Sequence, residues 1–380
     1  MLLPAMSKLR GIIRREIEAC GAIPFARFME LSLYCPEFGY YERLANTPGK
    51  RGDFYTSVSV GSLFGELLAF QFAGWVEKTG TDRFQLLEAG SADGRLAADV
   101  LNWFKSRQPH LLERMEYWIL EPSLTRREWQ KKNLEPLAAP VRWFDSWDKL
   151  PTGGVRGVIF SNELLDAMPA HRIGWNAQNR NWFEWDVGFE AENFVWIRRL
   201  PDGKHQGPVA FDTPRSVLRA GHWPTLQAEL LAVLPDGFTT EVSPAAVEWW
   251  RQAATVLNEG TLLTFDYGLT AEEFFVPHRA KGTLRAYHGH RPNDDLLANV
   301  GEQDLTAHVN FTALQSAGES AGLRTEGLFS QAEFLKRVAA SAWHAPSAFG
   351  GWTAARTRQF QTLTHPEHLG RSLEVLVQTR

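Results

Sequence analysis

Cysteine is nearly absent: the 380 residues hold two, Cys20 and Cys35. With no secretory apolar region ahead of them and no metal-ligand spacing to histidine, they argue against a disulfide scaffold or a zinc module and read as reduced thiols. Long apolar runs are missing as well. No stretch approaches the roughly 18 consecutive residues that a membrane helix needs, so no span is expected. Neither charge dominates, because 40 Lys and Arg stand against 44 Asp and Glu for a formal charge of −4. Without a dense basic run the electrostatic footprint of a nucleic-acid binder is lacking, and a neutral or cationic partner fits better. There is no P-loop and no G-x-S-x-G elbow, and His288 and His290 lack a second ligand pair at helical spacing, so no metal is expected. Internal repeats and low-complexity tracts are also absent. At the start, Leu9, Ile12, Ile13 and Ile17 recur at roughly helical spacing among basic residues. Glu16 and Glu18 there favour an ordinary amphipathic helix over a transit peptide, so a cytoplasmic location is expected.

What is present is a globular composition, 44% apolar with 15 Trp and 24 Phe, enough to fill a sizeable core. The length suits one catalytic core plus an accessory region. Residues 1–80 read as helices around a turn-rich stretch, CPEFGYY (35–41) and NTPGKRGD (46–53), with helical spacing resuming at Leu63–Lys78. Four short apolar runs follow: FQLLEAG (84–90), YWILEPS (117–123), VRWF (141–144) and VIFSNE (158–163). Helical segments separate the first three, as a parallel α/β sheet requires, and ligand groups belong just past the carboxyl ends of such strands.

Residues 171–212 then alternate aromatic and polar side chains, the pattern of a half-buried antiparallel sheet. A helix near 214–234, a strand at TTEVS (239–243) and a helix at 244–258 lead back to a fifth core strand, GTLLTFDYG (260–268). The stretch 269–309 has little periodicity and reads as a functional loop, residues 311–322 as a helix, and LEVLVQT (373–379) as a last strand.

The strongest local signal is LLEAGSADGRLAADVL: a strand, a tight turn with Gly90 and Gly94, then a helix whose first amides stay open to a ligand. A diphosphate would be repelled by Asp93 in that turn, whereas Glu88 suits a ligand carrying an ammonium. S-Adenosylmethionine has an ammonium and a sulfonium and no phosphate. Glu121 ends the second strand, where an acid can take both ribose hydroxyls. Asn162, Glu163 and Asp166 gather where the switch-point cleft opens, although as a helix cap and first-turn acids they read equally well. Methyl transfer from a sulfonium needs mainly alignment and exclusion of water, so no metal or covalent nucleophile is required.

At these residues the chain resembles the MidA-type family of S-adenosylmethionine-dependent methyltransferases, relatives of the mitochondrial complex I assembly methyltransferase. The likeness runs nearly end to end, through IPFARFMELSLYCPEFGYY (23–41), GDFYTSVSVGSLFGELLA (52–69), LLEAGSADGRLA (86–97), SNELLDAMPAHR (161–172), TEVSPAA (240–246) and LLTFDYG (262–268). Its most specific block is GTLRAYHGHRPNDDLLANVGEQDLTAHVNFTAL (282–314). The resemblance implies a Rossmann-like class I methyltransferase sheet with helices on both faces, an N-terminal helical region (1–80), and a core (81–380) with a β-rich insertion after the fourth strand, about 171–243. It implies S-adenosyl-L-methionine as cofactor, bound by Asp53, Phe54, Thr56, Glu88, Gly90, Ser91, Gly94, Glu121, Pro122 and Ser123. Asn162, Glu163 and Asp166 then border the methyl-transfer site, with Asp266, Tyr267, Arg285 and His308 lining the cleft.

Two departures stand out: Ala92 replaces the middle glycine of the family's turn, and Thr56–Gly61 replaces its Thr-Ala-Pro-Glu-Ile-Ser run. The family's arginine methylation implies a protein acceptor whose guanidinium Glu163, Asp166 and Asp294 or Asp295 would orient. The assembly state stays open, with a homodimer as one option. A nicotinamide-dependent oxidoreductase and a non-catalytic assembly scaffold with a retained cofactor fold are the competing readings.

Overall fold

The computed structural model describes residues 3–43, 56–137, 139–200, 205–206, 224, 226–289, 291–367 and 369–380. They fall into two compact units, one from Met1–Asn46, Asp166–Val247 and Leu269–Thr312, the other from Thr47–Leu165, Glu248–Gly268 and Ala313–Arg380.

The second unit is built on a mixed sheet. Its strands are β1 (Phe84–Ala89), β2 (Met115–Leu120), β3 (Val141–Phe144), β4 (Val155–Asn162), β5 (Leu257–Leu269), β6 (Arg324–Ser330) and β7 (Leu373–Thr379). They lie in the order 6-7-5-4-1-2-3. β1 to β5 pair in parallel, and β7 runs antiparallel to both its neighbours, β5 and β6. This is the Rossmann-like α/β arrangement, and the strand order reverses between β1 and β4, where such folds open their ligand crevice. Helices α1 (Leu63–Thr79), α2 (Arg95–Arg107), α3 (Leu124–Leu134) and α4 (Gln331–Trp343) flank the sheet. Phe64, Phe72, Phe104, Phe160 and Phe265 are fully buried in one cluster between α1, α2, α4 and the strands. The parallel strands read as near-continuous apolar runs because both faces are covered.

β6 and α4 had no counterpart in the sequence reading. RTEGLFS carries one glycine and four charged or hydroxyl positions in seven residues, too mixed for a strand period to show.

The first unit holds an antiparallel sheet in the order Thr239–Val242, His171–Asn176, Asn181–Glu190, Asn193–Arg199, His205–Gln206. This is the β-rich stretch that the alternation at 171–212 anticipated. Phe25 and Phe28, from the helix Phe25–Tyr34 (Phe25 at its first position), pack with Val187 and Phe194 of this sheet, as do Leu9, Ile13 and Ile17 of the helix Leu3–Cys20. A buried ionic network crosses its strands: Nδ1 of His171 lies 2.5 Å from Oε1 of Glu184, and Arg199 pairs with Asp186. The stretch 269–309 is not one loop. It contains the strands Arg285–His288, Arg291–Asn293 and Asp304–Thr306, whose three or four residues are too few for an alternation to register. Of the helix read near 214–234, Ala228–Val233 is helical, and 214–223 lies outside the described residues.

Candidate functional site

The ends of β1 and β4 supply the centre of the site. After Ala89 the chain turns through Gly90 (φ +70°), Ala92 (φ +46°) and Gly94 (φ +85°), three left-handed residues in five. The left-handed backbone favours glycine at 90, and a side chain there would also have to displace Leu164, whose Cδ1 it would meet at 2.7 Å. Ala92 keeps the left-handed backbone that the family's glycine would adopt, at a cost of about 1–2 kcal/mol. Gly94 N donates to Ser91 O at 2.6 Å and starts α2. Asp93 is occupied locally: it accepts from Arg95 N at 3.1 Å and pairs with the Arg95 guanidinium at 3.2 Å.

Glu88, at the end of β1, is 3% exposed and accepts a hydrogen bond from the Tyr117 hydroxyl. Burial pushes its carboxyl up to about 7, against the hydrogen bond from Tyr117 and with help from Asp93 and Asp99. Glu121, 2% exposed, follows β2. Its Oε1 accepts from Ser123 N at 3.0 Å and its Oε2 from Gln130 Nε2 at 3.2 Å, with Arg126 3.9 Å away. Ser123 also caps α3, accepting from Arg126 N, and Pro122 is exposed beside it.

β4 ends at Asn162, and Glu163 follows with φ +52°, a left-handed, non-glycine conformation of the kind that concentrates at functional sites. The strained turn is fastened by Asp266 of β5. One Asp266 oxygen accepts from Leu164 N (3.1 Å) and Leu165 N (2.7 Å), and Glu163 N donates to Phe265 O at 2.8 Å. Asp266 is fully buried, and its other oxygen accepts from Tyr267 N at 2.9 Å. The partly buried Glu163 carboxylate accepts at Oε1 from Asn162 Nδ2 (3.0 Å) and Ser57 N (3.3 Å). Burial raises it to about 7, opposed by those two bonds and reinforced by the nearby Asp266 charge. Asn162 Oδ1 is buried and finds no hydrogen-bond partner among the described residues. Thr56 caps the turn Ser57–Val60 that carries Ser57, accepting from Ser59 N at 3.3 Å.

Thr56, Glu88, Gly90, Ser91, Gly94, Glu121, Pro122, Ser123, Asn162 and Glu163 all belong to the second unit. Asp53 and Phe54 lie outside the described residues. Asp166 belongs to the first unit, buried at 7% exposure, with its carbonyl accepting from Ala307 N. Arg285, His308, Asp294 and Asp295 are in that unit too, the last two exposed. Burial, aided by Arg285 and Arg279, lowers His308 to about 4. The sequence reading missed Gln130, Tyr117 and Ser57. Nothing in QKKN or SVSV sets such residues apart from ordinary surface polars.

The donor and acceptor set fits S-adenosyl-L-methionine. Buried carboxylates suit the ribose hydroxyls and the ammonium, and the left-handed Gly90–Gly94 turn follows the strand end at which such folds hold their ligand. Among the described residues no cluster of His, Cys, Asp and Glu could hold a metal ion, and no helix is long and apolar enough to cross a membrane.

Comparison with known proteins agrees. Residues 67–329 match the model of a family described as S-adenosyl-L-methionine-dependent methyltransferases. The mouse protein arginine methyltransferase NDUFAF7, mitochondrial, is 28% identical over 85% of this chain and 72% of its own length. The Drosophila melanogaster homologue is 25% identical over 86% and 74%. A Burkholderia thailandensis protein crystallised with S-adenosyl-homocysteine is 31% identical, with a TM-score of 0.80 over 100% of this chain and 93% of that one. These relatives correct the cytoplasmic expectation, since the mouse and fly proteins are mitochondrial. The acidic residues of the first helix, on which that expectation leaned, form ion pairs, Glu16 with Arg27 and Glu18 with Arg14, and so carry no information about location.

Proposed function

Because the chain belongs to this family of S-adenosyl-L-methionine-dependent methyltransferases, we propose that it methylates an arginine guanidinium on a protein. Two things support the acceptor: relatives named protein arginine methyltransferases, and the carboxyl of Glu163 at the switch point, which carries the reading.

When bound, the cofactor supplies an electrophilic methyl carbon on a sulfonium, with a neutral thioether as leaving group. The Gly90–Gly94 turn and Glu121 hold it, Glu121 taking the ribose hydroxyls. Glu163 works on the acceptor. Guanidinium stays protonated to above about pH 12, so the nitrogen that gains the methyl group must lose one proton as the N–C bond forms. The product remains a cation. Among the described residues both hydrogen bonds to Glu163 fall on Oε1, so Oε2 is the oxygen that would receive that proton. A carboxyl raised to about 7 is a better base than an ordinary carboxylate, yet part ionised at neutral pH. Asn162 Oδ1 accepts a second N–H and orients the planar fork.

The test is incubation of a proteome with methyl-labelled cofactor, followed by total hydrolysis and chromatography. Label in methylarginine with the wild type, and none with Glu163→Gln, supports the assignment. Label in methyllysine or only in small molecules would overturn the arginine acceptor while leaving the enzyme class intact.

A further inference from the structure

Helix α3 is polar along most of its length, and among its residues only Gln130 and Leu134 are buried. A fully buried amide on such a helix is costly unless every hydrogen-bonding group is satisfied. Gln130 satisfies them. Its Nε2 donates to Ala92 O at 3.1 Å and to Glu121 Oε2 at 3.2 Å, and its Oε1 accepts from Trp143 Nε1 at 3.1 Å. The partners fix the orientation of the amide, because an indole N–H only donates while a carbonyl and a carboxylate only accept. Rotated by half a turn, Gln130 would set oxygen against two acceptors. One side chain therefore ties together the turn after β1, the acid after β2, and β3.

We propose that Gln130 is a positioning residue for cofactor binding, holding the Glu121 carboxylate for the ribose hydroxyls and fastening the left-handed turn at Ala92. The inference rests on the reading of Glu121 as the ribose acid. The need for such a hook follows from the turn itself. Ala92 occupies a conformation that glycine adopts without penalty, and the bond from Gln130 to its carbonyl offsets part of that strain. The bond to Glu121 is charge-assisted and holds the carboxylate at a fixed angle.

The experiment is calorimetric titration of the full chain with S-adenosylhomocysteine and with its analogue lacking one ribose hydroxyl. Wild type, Gln130→Ala, Glu121→Gln and the double variant are compared. Gln130→Ala is expected to weaken S-adenosylhomocysteine binding roughly 10- to 100-fold, the size of one charge-assisted bond. The added loss in the Glu121→Gln background should be clearly smaller than in wild type, since only the bond to the Ala92 turn is then left to lose. The discriminating readout is the hydroxyl: removing it should weaken binding strongly in wild type and little in Gln130→Ala. A merely structural glutamine would lower both affinities equally, and that result overturns the proposal. If wild type itself ignores the missing hydroxyl, the reading of Glu121 fails and the inference with it. Should Gln130→Ala not fold, Gln130→Met keeps the volume and serves in its place.

Discussion

At the scale of single residues, Glu163 carries two independent marks of function: a left-handed backbone and a carboxyl held near 7 by burial. If it takes the acceptor proton, turnover depends on its ionised form. The rate with saturating acceptor should then rise as pH increases through about 7 and level off above it. Glu163→Gln should lose about 10²- to 10⁴-fold and show no such step. A wild-type rate that is flat across this range would remove the base role. The placement of Glu121 and of Asn162–Glu163 at strand ends was legible in the sequence, because apolar runs end at them and strand ends are where a parallel sheet presents ligand groups. The roles of Gln130 and Asp266 were not. A buried amide looks like any surface glutamine until α3 is folded against β3. Asp266 reads from sequence equally as a cleft residue or as part of a strand-end turn, and its bonds to Leu164 N and Leu165 N appear only in the fold. Local sequence shows which residue types are present but not which way a buried carboxylate faces.

At the scale of elements, the turn between β1 and α2 makes opposite demands at positions two residues apart. Gly90→Ala would force a Cβ to within 2.7 Å of Leu164 in a left-handed residue, so it should abolish cofactor binding and lower the melting temperature. Ala92→Gly should leave binding intact and stability within about 1 kcal/mol, since relief of left-handed strain is partly cancelled by a freer unfolded chain. Equal effects from the two variants, measured by calorimetry and thermal melts, would show that the turn's conformation does not govern the site. The core strands were readable because strands buried on both faces show as apolar runs, and β3 and β7 fall on the predicted residues. The strands of the first unit between 285 and 306 were not, since pairing partners far apart in sequence, not periodicity, decide elements of three or four residues.

For the whole molecule, burial of acids sets how stability changes with pH. Glu88 and Glu163 are raised to about 7 and Asp99 to about 6, in each case chiefly by burial, well above the value of about 4 in an unfolded chain. Between those limits the native state binds protons that the unfolded state does not. The stability these groups contribute is therefore complete below their unfolded values and is lost as pH rises through about 7. His308 works against them. Lowered to about 4 by burial and by Arg285 and Arg279, it charges first in the unfolded chain and costs stability as pH falls below about 6.5. Three acids outweigh one histidine, so the melting temperature should climb by several degrees from about pH 8 to about pH 5. Glu88→Gln should flatten that climb because it keeps the neutral form at every pH, and His308→Gln should steepen it by removing the opposing proton. A melting temperature that falls steadily over this range in the wild type would mean that the buried carboxyls find charge partners the native state does not show. Glu88→Gln would then destabilise the protein at every pH alike.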